Sequence, residues 1–227
     1  MPPPRRLHGD TGSGLRTGQA AGDACSFDGK STGTVSGCKV IAVGASTGGT
    51  EAITRLLGAL PPAMPGIVIV QHIPPVFSRM FAERLNETTG FTVREAQSGD
   101  VVLPGHVLIA PGDQHMRLLQ GRAGYEVECG AGVKVGGHRP SIDVLFDSVA
   151  TVAGKASIGV LLTGMGADGA KGLLAMRRAG ARTLGQDEAS SVVYGMPKVA
   201  FELGAVERQV PLERMAAALI GLLAPGR

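Results

Sequence analysis

The pattern of apolar positions changes character at Lys39. Before it, apart from Met1, the bulky apolar side chains are Leu7, Leu15, Phe27 and Val35, with Gly, Ser, Thr and Pro between them. Such a pattern buries too little surface to offset the entropy lost on ordering, so residues 1–38 read as a flexible arm or linker. From Lys39 onward, short apolar runs alternate with stretches whose apolar residues recur at helical spacing. KVIAVG (39–44), GIVIVQ (66–71), FTVREA (91–96), HVLIAP (106–111), SIGVLLTG (157–164) and RTLGQ (182–186) read as strands. TEAITRLLGAL (50–60) carries Ile53, Leu56, Leu57 and Leu60 on one face and stops at Pro61 and Pro62. VFSRMFAERLNETT (76–89) reads as a helix with Phe77, Met80, Phe81 and Leu85 on one side. SIDVLFDSVATVAG (141–154), ADGAKGLLAMRRAG (167–180), GMPKVAFELG (195–204) and LERMAAALIGLL (212–223) read as further helices. HMRLLQGRAGYEVEC (115–129) is two strand-like runs about QGRAG, which predicts a hairpin.

Strands separated by helices of this length need crossovers, and near-continuous apolar strands need cover on both faces. The expectation is an α/β protein: a three-layer α/β/α sandwich, a doubly wound, mostly parallel sheet with a β-hairpin addition, over residues 39–227. In such sheets the working site lies at the carboxyl ends of the strands.

Composition narrows the function classes. Hydrophobic residues are 44% of the 227, enough for a large core, and charged residues are 18%. The net charge of +3 comes without Trp and without any run of Lys and Arg interleaved with aromatics, so no nucleic-acid partner is expected. No stretch reaches the ~18 apolar residues of a membrane span, so no membrane insertion is expected. The opening MPPPRRLHGD is basic but leads into no apolar segment, which argues against a signal peptide. Cys25, Cys38 and Cys129 are odd in number and widely spaced, which argues against a disulfide framework or a zinc site and for a reducing, cytoplasmic setting. With no HExxH and no Cys/His cluster, no metal is expected.

Candidate chemistry starts at GASTGG, residues 44–49, directly after the first strand. It lacks the Lys of a phosphate-binding P-loop, and Ser46 stands where a dinucleotide fingerprint has its second Gly. A looser nucleotide-binding turn and a plain helix N-cap at Ser46 stay open. Gly44-Ala45-Ser46-Thr47-Gly48 also matches GxSxG, the strand-to-helix elbow that exposes a serine hydroxyl at the amides of a helix N-terminus. A serine nucleophile needs a base. Of the five histidines, His8 lies in the arm, and His106 and His115 flank the strand and hairpin and read as surface or turn residues. His72 ends the second strand, one β/α unit after the elbow, with Pro74 and Pro75 close behind; His138, in GGHRPSID, precedes a helix and is placed to line the cleft. In TGMGADGAKG (163–172) the strand–glycine–helix logic recurs, and Asp168 is either a helix N-cap or the carboxylate that orients the imidazole. Asp143 and Asp147 have the spacing of a solvated helix face. The chain order Ser, His, Asp differs from the Ser, Asp, His of ordinary α/β-hydrolases.

Taken together and in order, IAVGASTGGTEAI, IVIVQHIPPVFS, VLIAPGDQHM, HRPSIDVLF, LLTGMGADGAKGL and AGARTLGQDEASSVVYGMPKVA resemble the catalytic domain of the chemotaxis receptor methylesterases, the CheB family, from about Lys39 to Leu223. The resemblance implies a doubly wound hydrolase-like domain without metal or organic cofactor. It implies Ser46 as nucleophile, His72 as general base and Asp168 as its orienter. Thr47, Met165, Gly48, Gly49 and His138 would form the oxyanion and substrate-binding surroundings, with the backbone amides of Met165 and His72 as oxyanion donors. The implied substrates are γ-methyl esters of glutamyl side chains on the cytoplasmic helices of methyl-accepting chemoreceptors, giving methanol and glutamate; many relatives also deamidate receptor glutamines. Family members usually carry a phosphorylatable receiver domain, for which residues 1–38 are too short, so receiver-domain regulation is not expected of this chain. A serine hydrolase acting on another ester or amide, or a noncatalytic partner-binding module, are the rival readings.

Overall fold

The structure is a computed structural model that describes residues 39–223. The arm expected over 1–38, with Cys25, Cys38 and His8, lies outside the described residues. In chain order the elements are β1 (Val40–Ala45), α1 (Gly49–Ala59), β2 (Gly66–Gln71), α2 (Pro75–Thr88), β3 (Thr92–Glu95), β4 (Asp100–Val101), β5 (His106–Ile109), β6 (His115–Gln120), β7 (Tyr125–Gly130), α3 (Ile142–Val152), β8 (Ser157–Leu161), α4 (Ala170–Arg178), β9 (Arg182–Gln186), α5 (Met196–Glu202), β10 (Arg208–Val210) and α6 (Leu212–Leu223).

Every residue of β1, β2 and β8 is buried, as strands covered on both faces require. They lie at the centre of a seven-stranded sheet of order β10-β9-β8-β1-β2-β5-β3, in which all pairings are parallel. The chain starts at β1, builds one wing through β2, then crosses to β8 and builds the other. The switch point therefore falls between β1 and β8, where a doubly wound sheet opens its crevice. Side chains alternate across the sheet. Ile41, Val43, Ile67 and Ile69 join a core with α1, α2 and α6. Val40, Ala42, Val68 and Val70 join another with α3, α4, α5 and the small sheet. The three-layer α/β/α arrangement is as the sequence predicts.

Three details differ from expectation. The predicted hairpin is part of a three-stranded antiparallel sheet, β4-β7-β6, whose Met116, Leu118 and Val127 are buried against α3 and its neighbours. On α2 the buried stripe is Ser78, Phe81, Ala82 and Leu85, whereas Phe77 and Met80 are more than half exposed. The inward slot that Phe77 was expected to fill is taken by Ser78, whose hydroxyl donates to Pro75 O and accepts the Gly112 N–H. Finally, Asp143 is not on a solvated face; its carboxylate accepts the N–H of Gly172 at 2.7 Å. Among the described residues no helix is long and apolar enough to cross a membrane.

Candidate active site

β1 ends at Ala45, and the chain turns sharply so that α1 can begin at Gly49. The turn is closed by the Gly49 N–H donating to Ser46 O at 2.7 Å. Gly48 takes φ 78°, a left-handed conformation that glycine adopts without strain, and a β-carbon there would fall 2.6 Å from Val192 Cβ. The backbone of Ser46 is held on both sides: its N–H donates to Thr163 O at 3.0 Å, and Gln71 Nε2 donates to its carbonyl at 2.8 Å. Ser46 caps no helix with its side chain. Its hydroxyl lies 3.1 Å from His72 Nδ1.

His72 follows β2 directly, and its N–H donates to Ala45 O at 3.2 Å, which ties it to the residue before the serine. That N–H is thereby engaged, so the expectation that it donates to an oxyanion is corrected. On the far side of the ring, Nε2 lies 2.9 Å from Asp168 Oδ2. A carboxylate accepts, so Nε2 carries the hydrogen and Nδ1 presents its lone pair to the Ser46 hydroxyl. The ring is used in the opposite sense to the chymotrypsin arrangement, in which Nε2 faces the serine. The side chains of His72 and Asp168 are 10% and 2% exposed, so the pair is largely withdrawn from water.

Asp168 stands in the loop between β8 and α4, but the N-cap of α4 is Gly169 and Asp168 caps a different helix. Its carboxylate accepts the Ile142 N–H at 2.7 Å and the Asp143 N–H at 3.1 Å, the first two amides of α3, and the Ser141 hydroxyl at 2.8 Å. Burial opposes its ionisation more than any other single influence. The hydrogen bonds from His72, Ile142, Ser141 and Asp143 together outweigh burial and hold the carboxyl below its usual value. Asp143 is shifted the other way, first by burial and then by Asp168 and Asp147, against the partial relief of the Gly172 N–H.

The structure thus brings Ser46, His72 and Asp168 into one hydrogen-bonded line across the ends of β1, β2 and β8. Around it, Thr47 is exposed and its carbonyl accepts the Thr163 hydroxyl at 2.9 Å. Met165 is 72% exposed and follows Gly164, where a β-carbon would fall 2.8 Å from Ser46 Cβ. Gly49 is buried beneath Gln71, so it shapes the turn rather than facing the cleft. His138 lies flat against His72.

Sequence reasoning overlooked several supports. Ser141 has the residue type and place of an N-cap, but its hydroxyl goes to Asp168. Gln186, at the end of β9, accepts the Thr163 N–H at 2.8 Å, and no local signal marks it. His115 is 5% exposed rather than a surface residue: Nε2 donates to Val133 O at 2.9 Å and Nδ1 accepts the Ser141 N–H at 3.2 Å. Its partners come from the loop before α3, which the hairpin pattern could not reveal. Among the described residues no group of three or more His, Cys, Asp or Glu is placed to hold a metal ion.

Comparison with known proteins agrees with this geometry. The family model described as CheB methylesterase matches residues 41–219. The chain is 61% identical over 184 residues to protein-glutamate methylesterase/protein-glutamine glutaminase 4 of Anaeromyxobacter dehalogenans, a match covering 81% of this chain and 52% of that protein. It is 57% identical over 182 residues to protein-glutamate methylesterase/protein-glutamine glutaminase 2 of Pseudomonas aeruginosa, covering 80% of this chain and 52% of that one. The chain spans about half the length of the curated relatives it matches. The crystal structure of the Thermotoga maritima CheB methylesterase catalytic domain matches with a TM-score of 0.79 at 36% identity, covering 82% of this chain and 98% of that one.

Proposed function

The chain belongs to the CheB methylesterase family, and from that premise we propose that it is a serine hydrolase that demethylates glutamyl γ-methyl esters on chemoreceptor helices in the cytoplasm. The observation that carries the reading is the line Ser46 Oγ–His72 Nδ1 at 3.1 Å and His72 Nε2–Asp168 Oδ2 at 2.9 Å. In this reading Ser46 Oγ attacks the ester carbonyl as His72 Nδ1 takes its proton. Asp168, ionised and fully hydrogen-bonded, steadies the resulting imidazolium. The tetrahedral oxyanion is received by backbone amides, for which Met165 and Thr47, the residue after the nucleophile, are the candidates. His72 returns the proton to the departing methanol. Water, activated by the same imidazole, then releases the glutamate. A glutamine side chain passing through the same steps would release ammonia. Exposed Met165 and Val192 beside the serine turn are apolar contacts of the kind that an amphipathic helix makes in a groove.

The test is methanol release from methylated receptor, with a simple methyl ester as reference and Ser46→Ala as control. Ser46→Ala is expected to keep the fold and lose roughly 10⁴–10⁶ in turnover. A folded Ser46→Ala protein with near-normal turnover would refute the mechanism. Cleavage of the simple ester but not the receptor would favour a hydrolase of another substrate. Receptor binding without cleavage by the unaltered chain would favour a binding module.

A further inference from the structure

His138 takes no part in the hydrogen-bonded line, yet its imidazole lies on the face of His72. The ring centroids are 4.0 Å apart and the planes 5° from parallel. The bonds to Ser46 and Asp168 hold the His72 ring at two points on its edge. Tilt of the ring about the line joining those points is resisted by what lies against its faces. A tilt would carry the Nδ1 lone pair off the serine hydroxyl.

The segment that carries His138 is tied down at several points. Val135 and His138 exchange both backbone hydrogen bonds at 3.0 Å around Gly136 and Gly137, whose φ values of 59° and 86° make a tight two-residue turn. Arg139 Nε donates to Asp113 Oδ1 at 2.8 Å, and Arg139 Nη1 donates to Gly132 O. His115 Nε2 holds Val133 O. A loop anchored to β6, to Asp113 and to itself places one flat side chain against one flat side chain.

We propose that His138 is a positioning residue: an uncharged aromatic platform that fixes the plane of His72 and leaves it free to become an imidazolium. The proposal rests on the esterase reading. Its charge requirement follows from distance. When His72 takes the serine proton, a second cation about 4 Å from it would oppose the step. The charged and titratable groups facing His138 are His72 and Asp168, Lys134 of its own loop, and Arg139 with Asp113 around the same pocket. Burial is the first influence that lowers its affinity for a proton; His72 and Lys134 add to it, and Asp168 works against them. His138 therefore stays neutral to lower pH than an ordinary imidazole. Protonation of His138 sets a second cation against the ring that must take the serine proton, so it silences the site and steepens the acid limb of the rate.

The experiment compares the unaltered chain, Ser46→Ala, His138→Ala and His138→Phe in kcat, KM and pH profile. It also follows the low-field NMR signal of the His72 Nε2–H. His138→Ala should lower kcat roughly tenfold with KM nearly unchanged, since a small misplacement of a catalytic group costs this much or more. The Nε2–H signal should then be lost to exchange with water. His138→Phe, flat and chargeless, should recover most of the rate, keep the signal and show an acid limb less steep than that of the unaltered chain. Wild-type kcat and a steep acid limb in both variants would overturn the proposal. A raised KM with unchanged kcat would assign His138 to substrate contact instead and equally overturn it. If the unaltered chain and Ser46→Ala release no methanol alike, the esterase reading fails, while the NMR comparison still decides the platform.

Discussion

At the scale of single residues, Asp168 carries the most consequence, because four donors converge on one carboxylate: His72 Nε2, Ser141 Oγ and the amides of Ile142 and Asp143. An Asn there can offer an amide hydrogen to Nε2, which shifts the imidazole hydrogen to Nδ1 and, in the proposed mechanism, leaves Ser46 without a base. Asp168→Asn should therefore lose about 10⁴ in turnover. The same residue sets an acid dependence of stability. Its folded-state pKa is lowered, so its ionised form favours the fold. That contribution is complete above the unfolded value of about 3.9 and is lost as pH falls through the lower folded value. Asp143 has the opposite sign: its carboxyl is raised, so ionisation weighs against the fold, and that penalty is relieved as pH falls through the raised value. Denaturant unfolding across the acid range checks both. Asp143→Asn, which keeps an acceptor for the Gly172 N–H, should be more stable than the unaltered chain at neutral pH, with the gain vanishing in acid. Asp168→Asn should lack the final acid loss. Parallel curves for all three proteins would contradict the assignment.

At the scale of elements, α3 and α4 exchange caps. The loop before α4 supplies Asp168 to the first amides of α3, and α3 supplies Asp143 to Gly172 in the first turn of α4. Each carboxylate also sits where a helix N-terminus favours negative charge. This exchange requires α3 to enter close to β1, and Gly44 permits it: a β-carbon at Gly44 would fall 2.3 Å from Ile142 Cγ2. Gly44→Ala should destabilise by about 1–3 kcal/mol through overpacking. Combined with Ile142→Ala, which removes the clashing methyl, it should cost less than the sum of the two single changes. Strict additivity in urea unfolding would show that the clash is not the cause. The same elements show what could be read beforehand. β1, β2 and β8 announce themselves as apolar runs, β1 and β8 before glycine turns and β2 before Pro74 and Pro75, and their ends pointed to Ser46, His72 and Asp168. β4 and β10, two and three residues long, carry no period to detect. The target of Asp168 was hidden because its amide partners lie 26 and 25 residues away, and local rules connect a carboxylate only to the helix that follows it.

At the scale of the molecule, the three residues of the line follow β1 and the two strands that flank it, β2 and β8, in the middle of the sheet, with a separate apolar core on each face. The chemistry proposed for the line needs placement to well under an ångström, and the line lies between the two cores while the wings carry the short strands β10, β3 and β5. This ordering predicts amide exchange. Amides of β1, β2 and β8 should exchange slowest, through global unfolding, because freeing any one of them requires both cores to be breached. Those of β3 and β10 at the sheet edges, each paired with one neighbour, should exchange sooner by local opening. Gly44→Ala should then lower protection across all three central strands by a similar factor, since a defect at β1 is a defect in the global transition. Ser46→Ala should leave the pattern unchanged. Edge strands as protected as the centre, or a Gly44→Ala effect confined to β1, would mean that the site rests on a unit that opens independently of the rest of the fold.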